Sequence, residues 1–254
     1  MRMLFAALIP VCVWAQVPIE PPPFIQLVRK PGIATNLVRP YSDAGAAIHV
    51  LGLTSVTGLA ESWFVEAHYN WASIEDLDRA LAATGYRSVE SNVALMDDEV
   101  LAPSRTMLAS LRPHWSYRPD QAIRLFPRAR YFQVTIYRIR AGTETDFGEL
   151  VRLRRMSQDS VNLDRPEIAY SVISGAPSGT YIFLAPIVSL RANDDGVVDI
   201  PAWAEGLFDA RSRARAKVAP ESELSREHLL FRVEPRISYV SEGFTSSDPG
   251  FWRK

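Results

Sequence analysis

An internal repeat is the feature that most restricts the fold of this 254-residue chain. Residues 111–117 (LRPHWSY) are echoed by residues 233–239 (VEPRISY), 122 positions later, with proline, serine and tyrosine in register. Each copy ends a segment in which β-rich runs alternate with amphipathic helical runs. The chain is therefore expected to fold as two equivalent units that pair their apolar faces.

The second half shows the order of elements most clearly. The predicted elements are a strand at 131–140, a helix at 143–159, a hairpin of strands at 167–174 and 180–188, a helix that Asp199 caps and that carries Trp203, and a strand at 228–239. This order is strand, helix, hairpin, helix, strand.

The first half repeats the order with one shortened element. Strands are predicted at 24–30, 48–55 and 62–69, and Ser73 is the predicted cap of a helix that carries Leu77 and Leu81. Residues 31–45 stand where the first helix should be, but they contain two prolines and two glycines, which oppose a long helix. One helical cover of the first half is therefore predicted to be short or absent.

The order of elements looks like that of the dimeric α/β-barrel superfamily, the ferredoxin-like group that holds NIPSNAP-type proteins and antibiotic-biosynthesis-type monooxygenases. The motifs PPP at 21–23, SWF at 62–64, SYRP at 116–119 and RYF at 130–132 resemble an exported bacterial family of this kind without assigned activity. The resemblance implies an α+β fold, with two tandem ferredoxin-like βαββαβ repeats packed as a single-chain pseudo-dimeric α/β barrel. The shortened first helix departs from that pattern.

The N-terminus reads as an export signal. Arg2 precedes a nearly all-apolar stretch at 3–14, and Ala15 is the predicted cleavage position, so no membrane span is expected after cleavage. The expected location is periplasmic or extracellular. The predicted organisation is a signal peptide at 1–15, a proline-rich spacer at 16–23, repeats at 24–119 and 128–241 joined by a linker at 120–127, and a tail at 242–254.

Composition excludes several classes of function. The formal net charge is −1, with acidic and basic residues interspersed, so no nucleic-acid partner is expected. The only cysteine is Cys12, inside the predicted signal, which leaves the mature chain without thiol chemistry. Glycine-rich phosphate loops and standard metalloenzyme motifs are absent from the sequence, and no cofactor is predicted.

The sharpest candidate site comes from the first hairpin. If the turn is symmetric about Gly58 and Leu59, His49 and His68 stand opposite each other, and Glu66 points the same way as His68. Two imidazoles and a carboxylate on one face could bind a metal or transfer protons near a ligand. The favoured alternative is that these residues form the polar back of the sheet, because the other face carries Trp63 and Val65 and is predicted to pack on helices.

Other aromatic residues have mainly structural interpretations. Trp63 and Tyr170 are candidates for lining a ligand pocket, although aromatic residues at such spacing more often form the core. Tyr117 and Tyr239 recur in both copies, which suits a role in the fold.

Two functional hypotheses follow. One is a small-molecule-binding or structural module of the bacterial cell envelope, monomeric or homodimeric, with a small apolar or aromatic ligand. The alternative is an oxygenase or isomerase that is either cofactor-independent or metal-dependent, with His49, Glu66 and His68 as candidate catalytic or metal-binding residues.

Overall fold

The computed structural model describes residues 17–34, 39–85, 104–193 and 223–253. The strands in these ranges are β1 (Phe24–Pro31), β2 (Val50–Ser55), β3 (Glu61–His68), β4 (Arg105–Leu111), β5 (Tyr131–Ile139), β6 (Ile168–Ser174), β7 (Thr180–Ile187) and β8 (Glu223–Val233). The helices are α1 (Arg39–Asp43), α2 (Trp71–Ala83), α3 (Pro119–Leu125), α4 (Glu144–Ser160), α5 (Glu242–Ser246) and α6 (Pro249–Trp252).

All eight strands close into one antiparallel barrel, in the order β1-β3-β2-β8-β5-β7-β6-β4. In each half the first strand lies between the third and the fourth. The halves meet at two seams, where β2 pairs with β8 and β4 pairs with β6. Because the barrel is closed, none of these described strands has an unpaired edge. The fold is therefore α+β with an eight-stranded antiparallel barrel.

The barrel interior is a single apolar core. Every strand directs alternate side chains into it, as strand geometry requires. Among the larger members are Leu27, Trp63, Phe132, Tyr170 and Phe231, and the rings of Trp63 and Phe231 lie 4.4 Å apart between centroids. Full burial of a side chain such as Leu or Phe contributes about 1.5–3 kcal/mol, so this layer supplies much of the stability.

Helices cover the outer face of the first half-sheet. The side chain of Asn70 accepts a hydrogen bond from the amide of Ser73 at 2.8 Å, so Asn70 caps α2 and Ser73 lies in its first turn, contrary to the predicted cap. Leu77 and Leu81, one turn apart, are buried against the sheet. Within the described part of the stretch predicted to resist a helix, residues 31–34 and 39–45, the only helix is the five-residue α1.

In the second half, α4 packs against the sheet at the position predicted for a helix. Its residues Phe147 and Val151 are buried, and the Phe147 ring lies 5.0 Å from that of Tyr137 on β5. Phe183 on β7 completes this cluster, with its ring 5.4 Å from that of Tyr137. The outer layer is thus anchored by aromatic contacts near the N-terminal half of α4.

The repeated Pro-x-x-Ser-Tyr sequence forms the same link in both halves. The hydroxyl of Ser116 accepts a hydrogen bond from the amide of Ala169 at 2.9 Å, and the hydroxyl of Ser238 accepts one from the amide of Gly52 at 2.9 Å. The two hydroxyls donate to the carbonyls of Arg112 and Glu234, respectively. Each copy therefore ties its own half to the second strand of the other half.

Two segments outside the predicted repeats are parts of the core. Residues 120–127, predicted as a linker, form most of α3, and Ile123 and Phe126 pack in the barrel interior. Residues 242–254, predicted as a tail, contribute Phe244 and Trp252 to the same cluster. The indole of Trp252 donates to the carbonyl of Pro127 at 2.7 Å, so the two segments contact each other.

The predicted spacer also packs where it meets the barrel. Pro22 is buried, and its carbonyl accepts a hydrogen bond from the hydroxyl of Tyr170 at 3.2 Å. The predicted signal peptide and the predicted helix that begins at Asp199 lie outside the described residues. No helix in the ranges that the structure covers has both the length and the apolar character needed to cross a bilayer.

Candidate functional site

The predicted pairing of His49 with His68 is wrong by one residue. Val50 stands opposite Glu66, and the carbonyl of His49 accepts a hydrogen bond from the amide of Ala67 at 2.9 Å. The loop at 56–60 is centred on Gly58 alone, whose φ of +84° favours glycine. Because successive side chains alternate between faces, His49 and His68 point to opposite sides of the sheet.

The side chain of His49 lies on the face of the sheet that forms the barrel interior. Its ring centroid lies 5.4 Å from that of Phe244, a member of the interior cluster. His49, Glu66 and His68 therefore do not form the facial metal set that the sequence suggested. Within the described ranges, no group of three His, Cys, Asp or Glu residues is placed to hold a metal ion.

Glu66 and His68 lie on the outer face of β3, beneath the helical layer. They are only 2% and 0% exposed, so the predicted polar back of the sheet is a buried interface. The hydroxyl of Tyr41 donates to Glu66 Oε1 at 2.5 Å, and Ser73 Oγ lies 3.3 Å from His68 Nδ1. Glu66 Oε2 and His68 Nε2 face each other at 3.7 Å.

Lys30 on β1 adds a positive charge near this pair. Burial lowers the pKa of its ammonium group, and the Glu66 carboxylate partly opposes that shift. The first-half layer thus contains an acid, a base and a cation from neighbouring strands.

The two aromatic pocket candidates lie in the barrel interior. The indole of Trp63 donates to Glu61 Oε2 at 2.6 Å, and the guanidinium carbon of Arg29 lies 4.7 Å from the indole ring centroid. Tyr170 is fully buried, which raises the pKa of its phenol. Both side chains pack against other core residues.

A cleft of about 430 Å³ opens on the outer face of the second half-sheet, between the sheet and the C-terminal half of α4. Its floor includes Gln133 and Thr135 from β5, Ala185 from β7 and His228 from β8. Thr135 Oγ1 lies 3.1 Å from His228 Nδ1, which orients the imidazole at the floor. The helix supplies a wall that includes Arg154, Ser157 and Gln158.

The charge of the cleft is predominantly positive. Arg154, Arg165 and Arg226 line it together with a single carboxylate, Glu167. Arg154 forms an ion pair with Glu167, and Arg226 forms one with Glu223, just outside the lining, at 3.6 Å. Gln158 Oε1 is buried and has no hydrogen-bond partner in the structure. The arginines suit a ligand with an acidic group, whereas Gln158 Oε1 is an acceptor and suits a hydrogen-bond donor, such as a hydroxyl, on the ligand.

Sequence reasoning missed this cleft. His228 was expected only as the start of a strand, whereas β8 begins at Glu223 and places Arg226 and His228 on the same face. The available signal was the polar alternation of Gln133 and Thr135 within an otherwise apolar strand. Polar residues at alternate positions indicate that this face of β5 is not fully covered by apolar side chains.

Comparison with known proteins shows similarity at the level of the fold. No family model matches the sequence, and no curated protein matches it. A solved anthrone oxidase-like protein aligns with 87% of this chain and 94% of its own, at 10% identity and a TM-score of 0.50. The chain shares its fold with this protein, and its α+β architecture with an eight-stranded antiparallel barrel resembles that of dimeric α/β-barrel proteins.

Two further solved structures align over similar lengths. A proposed monooxygenase from Lactobacillus acidophilus covers 86% of this chain and 99% of its own, at 8% identity and a TM-score of 0.46. A variant of the chlorite dismutase from Candidatus Nitrospira defluvii covers 85% of this chain and 92% of its own, at 10% identity and a TM-score of 0.43.

Proposed function

We propose that this chain is an exported small-molecule-binding protein of the bacterial cell envelope, built from two tandem ferredoxin-like repeats that pack as one pseudo-dimeric barrel. The common strand order of the halves and the matching Ser116 and Ser238 bridges support the repeat. The positive start at Arg2 and the apolar stretch at 3–14 support export.

The ligand site in this proposal is the second-half cleft. The observation that carries it is the excess of arginines around an accessible floor that holds Thr135 and His228. The volume of about 430 Å³ falls in the range of about 300–1,000 Å³ that is common for ligand pockets. The ligand class is a small organic anion, with an acidic group for the arginines and an aromatic or apolar body.

Two isosteric probes test the ligand class by calorimetric titration. We expect 1-naphthoate to bind the wild-type protein at least about tenfold more tightly than neutral 1-naphthalenemethanol, because an arginine contact to a carboxylate contributes on the order of 1.5–3 kcal/mol. Ala185→Trp fills the floor of the cleft and should abolish binding of 1-naphthoate.

Ala72→Trp is the matched control, because it adds the same side chain to an exposed position of α2. Equal binding of 1-naphthoate to both tryptophan variants would place the anion elsewhere and contradict the proposal. Stronger binding of the neutral probe would contradict the anionic class.

A second candidate function is oxygenation without a bound cofactor. It is favoured by an imidazole on the cleft floor and by the fold shared with an anthrone oxidase-like protein. His228 would take a proton from an acidic CH2 group of the substrate, and the arginines would stabilise the anion that forms. With anthrone as probe, one oxygen atom of O2 becomes the new carbonyl oxygen, and the other leaves as water with the two hydrogens of the CH2 group.

Oxygen uptake with anthrone separates the two candidates. Enzyme-dependent uptake that falls at least about a hundredfold in His228→Gln would support catalysis, because positioned bases contribute about 10²–10⁴ in rate. His114→Gln, at an exposed position, is the control. Uptake no faster than the protein-free reaction leaves binding as the function of the cleft and rejects oxygenation of this substrate.

A further inference from the structure

Two residues other than glycine have a left-handed backbone among the described residues, and they contact each other. Arg118 and Asn162 each have a φ of +46°, and the guanidinium of Arg118 donates to Oδ1 of Asn162 at 2.6 Å. A left-handed conformation is unfavourable for a residue with a Cβ and persists only where the surroundings enforce it. Each of the two therefore requires an explanation from its local structure.

The conformation of Asn162 is explained by the end of α4. The amide of Leu163 donates to the carbonyl of Gln158 at 2.9 Å, and that of Asn162 donates to the carbonyl of Asp159 at 3.0 Å. These two bonds form a Schellman motif, in which the left-handed residue is usually glycine and sometimes asparagine. The turn directs the chain into residues 163–167, which supply one wall of the cleft.

The conformation of Arg118 is not explained by the start of α3. Arg118 is the N-cap residue of this helix, but its side chain makes no capping hydrogen bond. In the other copy of the repeat, Val240 stands at the matching position and is not left-handed. Ser238 nevertheless forms the same bridge there as Ser116. The seam therefore does not require a left-handed residue, and the contact with Asn162 is what distinguishes Arg118.

Two contacts from the start of α3 hold the loop that follows α4. Besides the bond from Arg118 to Asn162, the side-chain amide of Gln121 donates to Oδ1 of Asp164 at 2.6 Å. Arg165 follows directly, and the next residue is a proline, which restricts the backbone of Arg165 to extended conformations. The loop therefore presents Arg165 to the cleft from a well-defined backbone position.

Arg165 is also the cleft arginine that is most available to a ligand. Arg154 is paired with Glu167. Arg226 is paired with Glu223 at 3.6 Å. An acidic ligand group at either arginine would compete with a carboxylate of the protein itself. The side chain of Arg165 is exposed and, within the described residues, makes no hydrogen bond or ion pair. Its planar guanidinium can therefore bind a carboxylate in the bidentate manner.

We propose that Arg165 binds the acidic group of the ligand, and that Arg118 is a positioning residue that holds the loop of Arg165 in place through Asn162. This assignment rests on the proposed function, because it names the specificity-determining residue of the same cleft. Arg118 does not line the cleft and reaches it only through the loop. Without its contact the loop would have to be ordered on binding, and part of the affinity for the acid would be lost.

Calorimetric titration with the paired probes 1-naphthoate and 1-naphthalenemethanol tests the role of Arg165. In Arg165→Gln we expect the preference for the carboxylate, at least about tenfold in the wild type, to fall to about twofold or less, with binding of the neutral probe unchanged. Arg226→Gln removes the same charge from the cleft and should keep a preference of at least about fivefold. A larger loss in Arg226→Gln than in Arg165→Gln would overturn the assignment.

Arg118→Gly tests the positioning role, because glycine suits a φ of +46° and the substitution removes only the side chain. The preference for 1-naphthoate should fall about two- to fivefold, with binding of the neutral probe unchanged. Asn162→Gly should give the same result, whereas Asn162→Asp, which keeps the acceptor, should retain most of the wild-type preference. An unchanged preference in Arg118→Gly would overturn the positioning role. Equal weakening of both probes would also overturn it, since the variant would then have altered the shape of the cleft.

Ala185→Trp separates a failure of this assignment from a failure of the proposed function. If Ala185→Trp abolishes binding of 1-naphthoate but Arg165→Gln leaves it unaffected, the cleft remains the ligand site and only the assignment of Arg165 is overturned. Absence of binding to the wild type, or binding that persists in Ala185→Trp, would contradict the proposed function and this assignment with it.

Discussion

The outer layers of the two half-sheets differ although the strands beneath them match. In the first half, Glu66 and His68 occupy the layer and are covered by α1 and α2. In the second half, the position of Glu66 is taken by Ala185, and a cleft of about 430 Å³ stands beside it. At this position a long acidic side chain in the first half corresponds to a methyl group in the second half, and the neighbouring His68 corresponds to Ile187.

The comparison shows how one backbone frame carries two different sets of side chains. The outer layer of the first half contains a carboxylate that contacts a tyrosine and a histidine, whereas that of the second half contains arginines and an accessible imidazole. A fold does not determine function by itself, and here the same strand geometry serves different side-chain chemistry within one chain.

The largest expected difference between the halves concerns Gly52 and Ala169, the two residues whose amides donate to the bridging serines. A Cβ at position 52 would lie 2.4 Å from the carbonyl oxygen of Ile237 and 2.5 Å from its Cγ1. We expect Gly52→Ala to lower the free energy of unfolding by about 3 kcal/mol, because backbone must move to relieve the overlap.

Ala169→Gly is the matched change in the second half. It should cost only about 1 kcal/mol, through added flexibility of the unfolded chain and a lost methyl contact. Urea denaturation of both variants measures the difference. Equal losses of unfolding free energy in the two variants would mean that the backbone at Pro235–Ile237 can shift at little cost and that the two seams are packed alike.

Sequence patterns predicted the strand order better than the faces of the strands. Both faces of β3 are covered, so Trp63 and Phe64 are both apolar and alternation could not identify the inner one. The loop has five residues and is centred on Gly58 alone, whereas the prediction assumed a centre between Gly58 and Leu59. The observed register therefore differs from the predicted one by one residue. Strands were recognisable from composition, but the side to which His49 points depended on a turn whose length was ambiguous.

The polar face of β5 could be read from the sequence, but the set of residues that converges on the cleft could not. Thr135 and His228 are 93 residues apart and meet only because β5 and β8 are neighbours in the closed barrel. Arg154 reaches the same space from a helix. No local spacing connects these three residues, so their convergence follows from the topology alone.

The serine bridges offer a test of smaller expected size. Ser116→Ala leaves the amide of Ala169 without its acceptor, and Ser238→Ala does the same to the amide of Gly52. Each change should lower the free energy of unfolding by about 1–2 kcal/mol, in the lower part of the range of about 1–3 kcal/mol for a buried donor that loses its partner. Similar values from urea denaturation would support equivalent seams. A loss confined to one variant would show that only that seam depends on its serine.

The smallest expected effect involves Tyr170. This residue directly follows Ala169, whose amide donates to Ser116, and the equivalent residue in the first half is Leu53, which follows Gly52. Tyr170→Phe removes the hydrogen bond to the carbonyl of Pro22 and should cost about 1 kcal/mol at pH 7.

Alkaline pH should reduce that cost. Burial raises the pKa of the Tyr170 phenol above its unfolded value of about 10. The stability that comes from keeping this phenol neutral is therefore complete below about pH 10 and is lost as the pH rises further. Phenylalanine cannot ionise, so the variant should lose less stability than the wild type between pH 9 and pH 11, on the order of 1 kcal/mol. Leu53→Ile, a control without a titrating group, should follow the wild-type pH dependence. Parallel curves for wild type and Tyr170→Phe would mean that other tyrosines control alkaline unfolding.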